Sequence, residues 1–126
     1  MIEGKFEYRE QLKQRTKLFV LRVVKLFQSL PKTVESQIIG KQLLRSATSV
    51  AANYRAACRA RSNPEYYSKI SIVIEEADET MFWLEMLWES GIIKQELLGS
   101  LYSENEEILK IMVSSRKNSK KDSNQS

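Results

Sequence analysis

The stretch QLLRSATSVAANYRAACRARS, residues 42–62, has the spacing and composition of one helix that is covered on two sides. Apolar or small residues recur every three or four positions along two stripes, one through Leu43 and Val50 and the other through Ala47 and Tyr54. Alanines fill much of the space between the stripes, and small residues let neighbouring backbones approach closely. Because a helix that is apolar on more than one side has more than one packing partner, the stretch predicts an all-α protein and favours contact with a further subunit.

The residues before this stretch predict a first helix and the start of the second. An apolar face runs from about Tyr8 to Leu30, and Pro31 ends the helix because a residue before proline avoids the α region. Either Thr33 or Ser36 can cap the second helix by accepting a bond from an exposed backbone N–H. Gly40 lies in the first turns of that helix and costs about 1 kcal/mol relative to alanine.

The residues after the stretch predict two more helices. Asn63 suits the N-cap of the third helix and Pro64 its first position. Gly91 is placed to end that helix in a left-handed conformation, and a fourth helix begins near Lys94. Four helices with short connections predict an antiparallel, up-down-up-down four-helix bundle. We expect one domain over residues 1–113, with residues 1–7 loose, and a basic, disordered tail over residues 114–126.

Composition limits the class of protein. The chain has 126 residues, of which 42% are hydrophobic, enough for one domain with a core. Its single cysteine, Cys58, cannot form an internal disulfide, which favours a reducing, cytoplasmic setting. The amino-terminal residues contain no apolar signal core, and no run reaches the roughly 18 apolar residues of a membrane-spanning helix. We therefore expect no membrane partner.

The charges are unevenly distributed along the chain. Lys and Arg outnumber Asp and Glu by 9 in residues 1–62 and by 3 in residues 114–126, whereas acidic residues are in excess by 8 in residues 63–113. A basic surface left uncovered would attract phosphate backbones. Alternatively, the basic half faces the acidic half within one bundle or between subunits, or the charges simply lie on solvated helix faces. These interpretations stay open at the level of sequence.

The residue types of most catalytic sites are missing. The carboxylate run Glu75, Glu76, Asp78, Glu79 resembles half of a metal site, but di-iron bundles also need histidine and the chain contains none. Some of these acids are expected to pair with Arg45, Arg55 or Arg59. Without histidine the usual general base is absent too. We therefore predict no enzymatic activity, no catalytic residue, no metal site and no cofactor.

A few other side chains have two interpretations each. Asn53 and Asn105 fall on apolar stripes, where a buried polar residue either fixes register or bonds to a neighbouring backbone at the edge of the core. Trp83 and Trp88 are expected to anchor the core or a subunit interface rather than to stack on bases. Cys58 lies among small apolar residues and is expected to be a buried, inert thiol.

Three segments together resemble a known family. RSATSVAAN (45–53), RAACRARS (55–62) and EEADETMFWLEML (75–87) are similar to small bacterial four-helix-bundle proteins encoded within intervening sequences of large-subunit ribosomal RNA genes. The similarity runs from about residue 8 to residue 113. Many members have a glutamate shortly after the asparagine of the first segment, where this chain has Arg55 and Ala56. This departure puts any role of that acid in doubt here.

The resemblance implies an assembly rather than a reaction. Such proteins form homopentameric rings, and a related branch, the accessory proteins of diversity-generating retroelements, forms a basic pentameric barrel that binds a reverse transcriptase and nucleic acid. The ribosomal branch has no settled biochemical function. The residues that match the family's motifs are read as packing and assembly positions: Arg45, Ser46, Ser49, Asn53, Glu76, Glu79, Trp83 and Leu84.

Two main functional hypotheses follow, and a carboxylate metal enzyme is a distant third. The first is a non-catalytic homo-oligomer that binds RNA, DNA or a nucleic-acid enzyme; the resemblance implies that the oligomer is a pentameric ring and that the enzyme is a reverse transcriptase. The second is a structural or protein-partner scaffold without nucleic-acid binding. The candidate nucleic-acid contacts of the first hypothesis are Lys13, Lys17, Arg22, Lys25, Arg55, Arg59, Arg116, Lys117, Lys120 and Lys121.

Overall fold

Four packed helices account for nearly the whole chain. The computed structural model describes the backbone of residues 2–125 and the side chains of residues 4–119. Its helices are α1 (Ile2–Ser29), α2 (Val34–Cys58), α3 (Asn63–Glu89) and α4 (Gln95–Gln125). Within residues 2–125 there is no strand, which confirms the all-α class and the number of helices. In the same range, every helix lacks the long apolar run needed to cross a bilayer.

Local chemistry at the connections explains where the helices begin and end. Thr33 caps α2, and its Oγ1 accepts a hydrogen bond from the backbone N–H of Ser36 at 3.3 Å. The cap of α3 is Ser62 rather than the predicted Asn63, since the Ser62 hydroxyl accepts the N–H of Glu65 at 3.2 Å. Both residue types are good caps, so sequence alone does not separate them. Gly91 has φ of +79°, which confirms the predicted left-handed end of α3.

The core takes side chains from all four helices. Phe19, Tyr54, Leu84 and Ile108 are each fully buried or nearly so, one from each helix in chain order. Packing joins α1 to α2, α2 to α3 and α3 to α4, and a smaller contact between α1 and α4 completes the arrangement. The two stripes of residues 42–62 are both used, because the first contributes Leu43, Ser46, Val50 and Ala57 and the second contributes Ala47 and Tyr54 to the buried set.

Apolar periodicity predicts a buried face through Ile70, Ala77, Met81 and Leu84 on α3 and one through Leu97, Leu101, Asn105 and Ile108 on α4. The structure buries most of these residues, but not Met81 or Leu97. On α3 the buried stripe passes through Val73 and Thr80, whereas the sequence reading placed Met81 on it. On α4 the predicted Leu97 is 75% exposed and Leu98 is buried instead. The reason on α3 is that Thr80, a polar residue, occupies a core position. A reading based on apolar residues alone moves the stripe to the neighbouring Met81.

Both ends of the chain are more helical than expected. Residues 2–7 belong to α1 and residues 114–125 to α4, so the expectations of a loose start and a disordered tail over 114–126 are corrected for these residues. The contacts at this end are polar. The Arg116 guanidinium lies 5.7 Å from the centre of the Tyr67 ring, and Ser119 is buried. Because these contacts use polar side chains, hydrophobic periodicity does not reveal them.

Gly40 lies where α2 crosses the end of α1 closely. A Cβ atom built at this position would lie 2.5 Å from Leu30 Cδ1 and 2.9 Å from Phe27 Cδ2. Leu30 is itself buried, so its methyl group has little room to move away. The glycine therefore has a packing role in addition to its cost in helix propensity.

We expect Gly40→Ala to lower the free energy of unfolding by about 1 kcal/mol. Overpacking costs about 1–3 kcal/mol and outweighs the gain of up to about 1 kcal/mol in helix propensity. The matched control is Gly99→Ala in α4, where an added Cβ meets nothing within 4 Å and only the propensity gain remains. Urea denaturation of the three proteins measures both effects. A Gly40→Ala protein at least as stable as the wild type would show that the crossing is not tight.

Candidate nucleic-acid and assembly surfaces

A groove separates the exposed sides of α1 and α2. Its volume is about 490 Å³, and its apolar lining includes Val20 and Leu21 from α1 and Ala51 and Ala52 from α2. The alanines explain the groove, since their short side chains leave open the space that larger residues would fill. The small residues of the 42–62 stretch therefore shape the surface of this protein as well as its core.

Four cationic side chains line the same groove from both helices. Lys13 and Lys17 come from α1, Arg55 from α2, and Arg59 from the cap that follows α2. Lys13 forms an ion pair with Glu10, one turn earlier. Among the side chains of residues 4–119, the other three form no ion pair. The structure thus brings together four of the ten residues predicted to contact nucleic acid.

The other predicted contacts lie elsewhere. Arg22 donates a hydrogen bond to Ser100 Oγ at 2.9 Å, between α1 and α4. Arg116 donates to Ser71 Oγ at 3.4 Å. Lys25 and Lys117 are exposed and do not line the groove. The side chains of Lys120 and Lys121 lie outside those that the structure describes.

A second polar surface joins α2 to α3 and contains the motif residues. The Arg45 guanidinium lies 3.1 Å from Glu76 Oε2 and 2.6 Å from Glu79 Oε1. Glu79 also accepts a hydrogen bond from Trp83 Nε1 at 3.1 Å. The hydrogen bond from Arg45, followed by that from Trp83, lowers the pKa of the Glu79 carboxyl. One arginine therefore holds two of the acids that a metal site would have needed. We call these four residues, Arg45, Glu76, Glu79 and Trp83, the arginine network.

Beneath the arginine network the serines make close contacts. The Ser46 hydroxyl donates to the Leu43 carbonyl at 3.1 Å and accepts from Thr80 Oγ1 at 2.8 Å, in the buried layer between α2 and α3. Asn53 Nδ2 donates to Ser49 Oγ at 2.9 Å within α2. Leu84 is fully buried. Thr80 is a contact that sequence reasoning missed, although it lies three and four residues from Ala77 and Leu84 on the same stripe.

The comparisons with known proteins fit this arrangement. The family model described as 23S rRNA-intervening sequence protein matches residues 9–114. The chain belongs to this family. A crystal structure of a protein with unknown function from the S23 ribosomal protein family of Bacteroides thetaiotaomicron is similar, with 34% identity and a TM-score of 0.81. The match covers 86% of this chain and 97% of that chain. No curated protein matches the chain.

Within residues 4–119 of this intervening-sequence protein, some arginines of the basic half form ion pairs with the acidic half and others do not. Arg15 donates from Nε and Nη2 to the two carboxylate oxygens of Glu104, both at 2.8 Å, and Nη2 also lies 3.1 Å from Glu107. The Glu104 bond raises the pKa of Arg15, and the same bond lowers the pKa of Glu104. Arg15 and Arg45 thus face acids on α4 and α3. Arg55 and Arg59 do not pair in this way among the described side chains, although they were named as candidates.

Other chemically notable residues have structural surroundings. Within the described residues, no group of three or more His, Cys, Asp or Glu side chains is arranged to hold a metal ion. Cys58 is half-buried, and burial raises the pKa of its thiol, which disfavours the reactive thiolate. Asn105 is fully buried, and its Nδ2 donates to the Ala77 carbonyl at 2.9 Å across the α3–α4 contact. Trp88 packs edge-on against Tyr102 with ring centres 5.0 Å apart.

Proposed function

We propose that this protein is a non-enzymatic homo-oligomer that binds nucleic acid through the α1–α2 groove. The observation that supports it is the meeting of Lys13, Lys17, Arg55 and Arg59 around one groove, three of them without an acidic partner among the described side chains. Exposed, unpaired cations on facing helices attract phosphate groups. Contacts of cations with phosphates carry no sequence information directly, so binding is expected to depend on the nucleic-acid backbone rather than on the sequence.

We also propose the antiparallel, up-down-up-down order for the bundle. Contacts between packed helices support it, because residue numbers fall along one helix as they rise along the other. Between α1 and α4, Arg15 meets Glu104 and Arg22 meets Ser100. Between α3 and α4, Ala77 meets Asn105 and Glu85 meets Tyr102.

We propose that copies of the protein associate through the α2–α3 face that carries the arginine network. Phe82 supports this choice: its side chain is 49% exposed and contacts Trp83 edge-on, with ring centres 4.8 Å apart. Ile72 on the same helix is also exposed. A ring of five and a reverse transcriptase as partner are proposals that rest only on the family resemblance. In a ring, each groove would be repeated by symmetry, and weak contacts would add through multivalency.

Light scattering tests the assembly. We expect a mass of several protomers at micromolar concentration, and five in the ring hypothesis. Phe82→Ser should shift the distribution toward smaller species, because it removes apolar area from the proposed interface without touching the core. The matched control is Leu97→Ser on α4, which is even more exposed and lies outside that face. A wild-type monomer would refute the assembly, and equal effects of the two variants would refute the chosen face.

The scaffold without nucleic-acid binding is the second candidate, and a specific observation favours it. Arg15 and Arg45 show that part of the basic half already faces acids of the same protomer. If the groove cations met acids of a neighbouring subunit in the same way, no basic surface would remain for phosphate.

Titration of the purified protein against a structured RNA at two salt concentrations separates the two candidates. Four phosphate contacts predict an affinity loss of about 100-fold when salt rises about fourfold, through counterion release. Strong binding at low salt with this steep dependence supports the groove. If no RNA binding occurs at low salt, the nucleic-acid function is refuted and the scaffold function is favoured.

A further inference from the structure

Two adjoining cavities lie where α1 begins, α3 begins and α4 ends. The larger has a volume of about 250 Å³ and the smaller about 170 Å³, and they share Lys5, Arg9 and Tyr66. The larger is also lined by Tyr8, Ser115, Asn118 and Ser119. The smaller extends over the α2–α3 connection from Ala60 to Asn63. We call the pair the end cavity. It shares no residue with the α1–α2 groove.

The lining of the end cavity is rich in cations and hydrogen-bond donors, and none of its described side chains is a carboxylate. Lys5, Arg9 and Arg61 contribute positive charge. Arg9 packs its guanidinium over the Tyr66 ring, 4.3 Å from the ring centre, and so is held in place by an aromatic face rather than by an acid. Two nearby acids have other partners, since Glu10 pairs with Lys13 and Glu65 accepts the backbone N–H of Arg61. Glu7 is exposed and is not among the lining residues.

The buried hydroxyl of Ser119 indicates a bound anion independently of the positive charge of the lining. Its side chain is only 7% exposed, it lines the larger cavity, and its hydroxyl has no hydrogen-bond partner among the described residues. A buried hydroxyl without a partner is costly, so such groups in native proteins are normally satisfied by protein, water or a ligand. A hydroxyl beside an arginine and a lysine is best satisfied by an acceptor that is also an anion.

The amino terminus of α3 adds little to the site. Pro64 has no N–H, and the N–H of Glu65 is taken by Ser62. Only the first turn's remaining amides can contribute, so any anion would be held mainly by the side chains of α1 and α4.

We propose that the end cavity binds a phosphate group, either as free orthophosphate or as the terminal phosphomonoester of a nucleic acid. Lys5 and Arg9 supply the charge, and Ser119 donates the hydrogen bond that it otherwise lacks. Each of the two cavities, taken singly, lies below the range of about 300–1,000 Å³ typical of sites for larger ligands and suits a small anion. Lys5, Tyr8, Ser115, Asn118 and Ser119 lie outside the segment that matches the family model, so the site is a feature of this chain's two ends.

Calorimetric titration of the full chain with sodium phosphate, at ionic strength held constant with sodium chloride, tests the site. We expect saturable binding with one site per protomer. Arg9→Gln should weaken it roughly tenfold or more, because a charge-assisted hydrogen bond and its charge are lost. Ser119→Ala should weaken it several-fold with little effect on folding. The matched control is Lys41→Gln, an exposed lysine on α2 away from the cavity, which should bind phosphate as the wild type does. Circular dichroism checks that each variant is folded.

Two outcomes overturn the proposal. The first is that the wild type shows no saturable phosphate binding. The second is that Ser119→Ala and Arg9→Gln leave the binding unchanged, which indicates an adventitious ion only. Competition by a 5′-phosphorylated trinucleotide, compared with its unphosphorylated form, distinguishes the two sources of the phosphate. If only the phosphorylated trinucleotide competes, the ligand is the end of a nucleic acid. If it does not compete, the ligand is free orthophosphate. Because the end cavity shares no residue with the groove, failure of the groove and failure of the end cavity are separable.

Discussion

Replacing Lys17, Arg55 and Arg59 together by glutamine should weaken binding to structured RNA by roughly 100-fold near physiological salt. Each lost phosphate contact removes about 0.9 from the slope of log affinity against log salt, so the slope should become shallower by about 3. The three side chains line the groove, are exposed and form no ion pair among the described residues. The folded state should therefore change little, and fluorescence anisotropy with a labelled RNA measures both quantities.

The control for this triple variant removes the same charge from another surface. Lys32, Lys41 and Lys94 are exposed and lie outside the groove. Their joint replacement by glutamine changes net charge equally and should reduce affinity only slightly. If the two triple variants lose affinity to the same extent, binding follows overall charge rather than the groove, and the proposed interface is wrong.

Asn105→Asp should destabilise the protein by about 4 kcal/mol at neutral pH. Asn105 is fully buried, its Nδ2 bonds to the Ala77 carbonyl, and its Oδ1 has no partner among the described residues. An aspartate there would face a carbonyl oxygen without a donor, and burial raises the pKa of such a carboxyl by about 3 units or more. Each unit corresponds to about 1.4 kcal/mol between the protonation states.

The stability loss of Asn105→Asp should depend on pH, and this dependence separates an effect of charge from an effect of packing. Because the pKa of the new carboxyl is raised in the folded state, its penalty is small below the unfolded pKa of about 3.9 and grows as the pH rises toward the folded value. Urea denaturation at pH 4 and pH 7 should therefore show a difference from wild type that increases with pH. Asn105→Leu, which removes the unpartnered oxygen and cannot ionise, should stay within about 1 kcal/mol of wild type at both. If the two variants lose the same free energy of unfolding, the destabilisation comes from altered packing and not from the charge of the aspartate.

The boundaries and the α1 face could be read from the sequence because they depend on local chemistry. Pro31 and Gly91 have backbone requirements that hold in almost any context, and the apolar face predicted from Tyr8 to Leu30 buries Leu12, Phe19 and Val23. The buried face of α4 was predicted nearly as well, with Leu97 as the exception, whereas that of α3 was predicted only in part. Thr80 and Asn105 are polar residues in the core, and only their partners across the helix contact make burial acceptable.

The candidate sites show the same limit for a different reason. Sequence indicated that Lys17 and Arg55 are exposed cations, but whether two helices bring them to one groove depends on how each helix is rotated about its axis. The end cavity was missed entirely. Its residues are about 110 positions apart in the chain, from Lys5 to Ser119, and the prediction of a disordered tail excluded the residues of α4 that line it.

The limited contact between α1 and α4 has a kinetic consequence. Three of the four packed helix pairs are neighbours along the chain, so most native contacts close short loops and the chain should fold rapidly, from local hairpins of helices. The α1–α4 pair includes the hydrogen bond between Arg15 and Glu104, which are 89 positions apart in the chain. This pair should therefore form after the folding nucleus. Interactions made late act mainly on the unfolding rate. Weakening the α1–α4 contact would then shorten the lifetime of the folded protein more than it would slow folding.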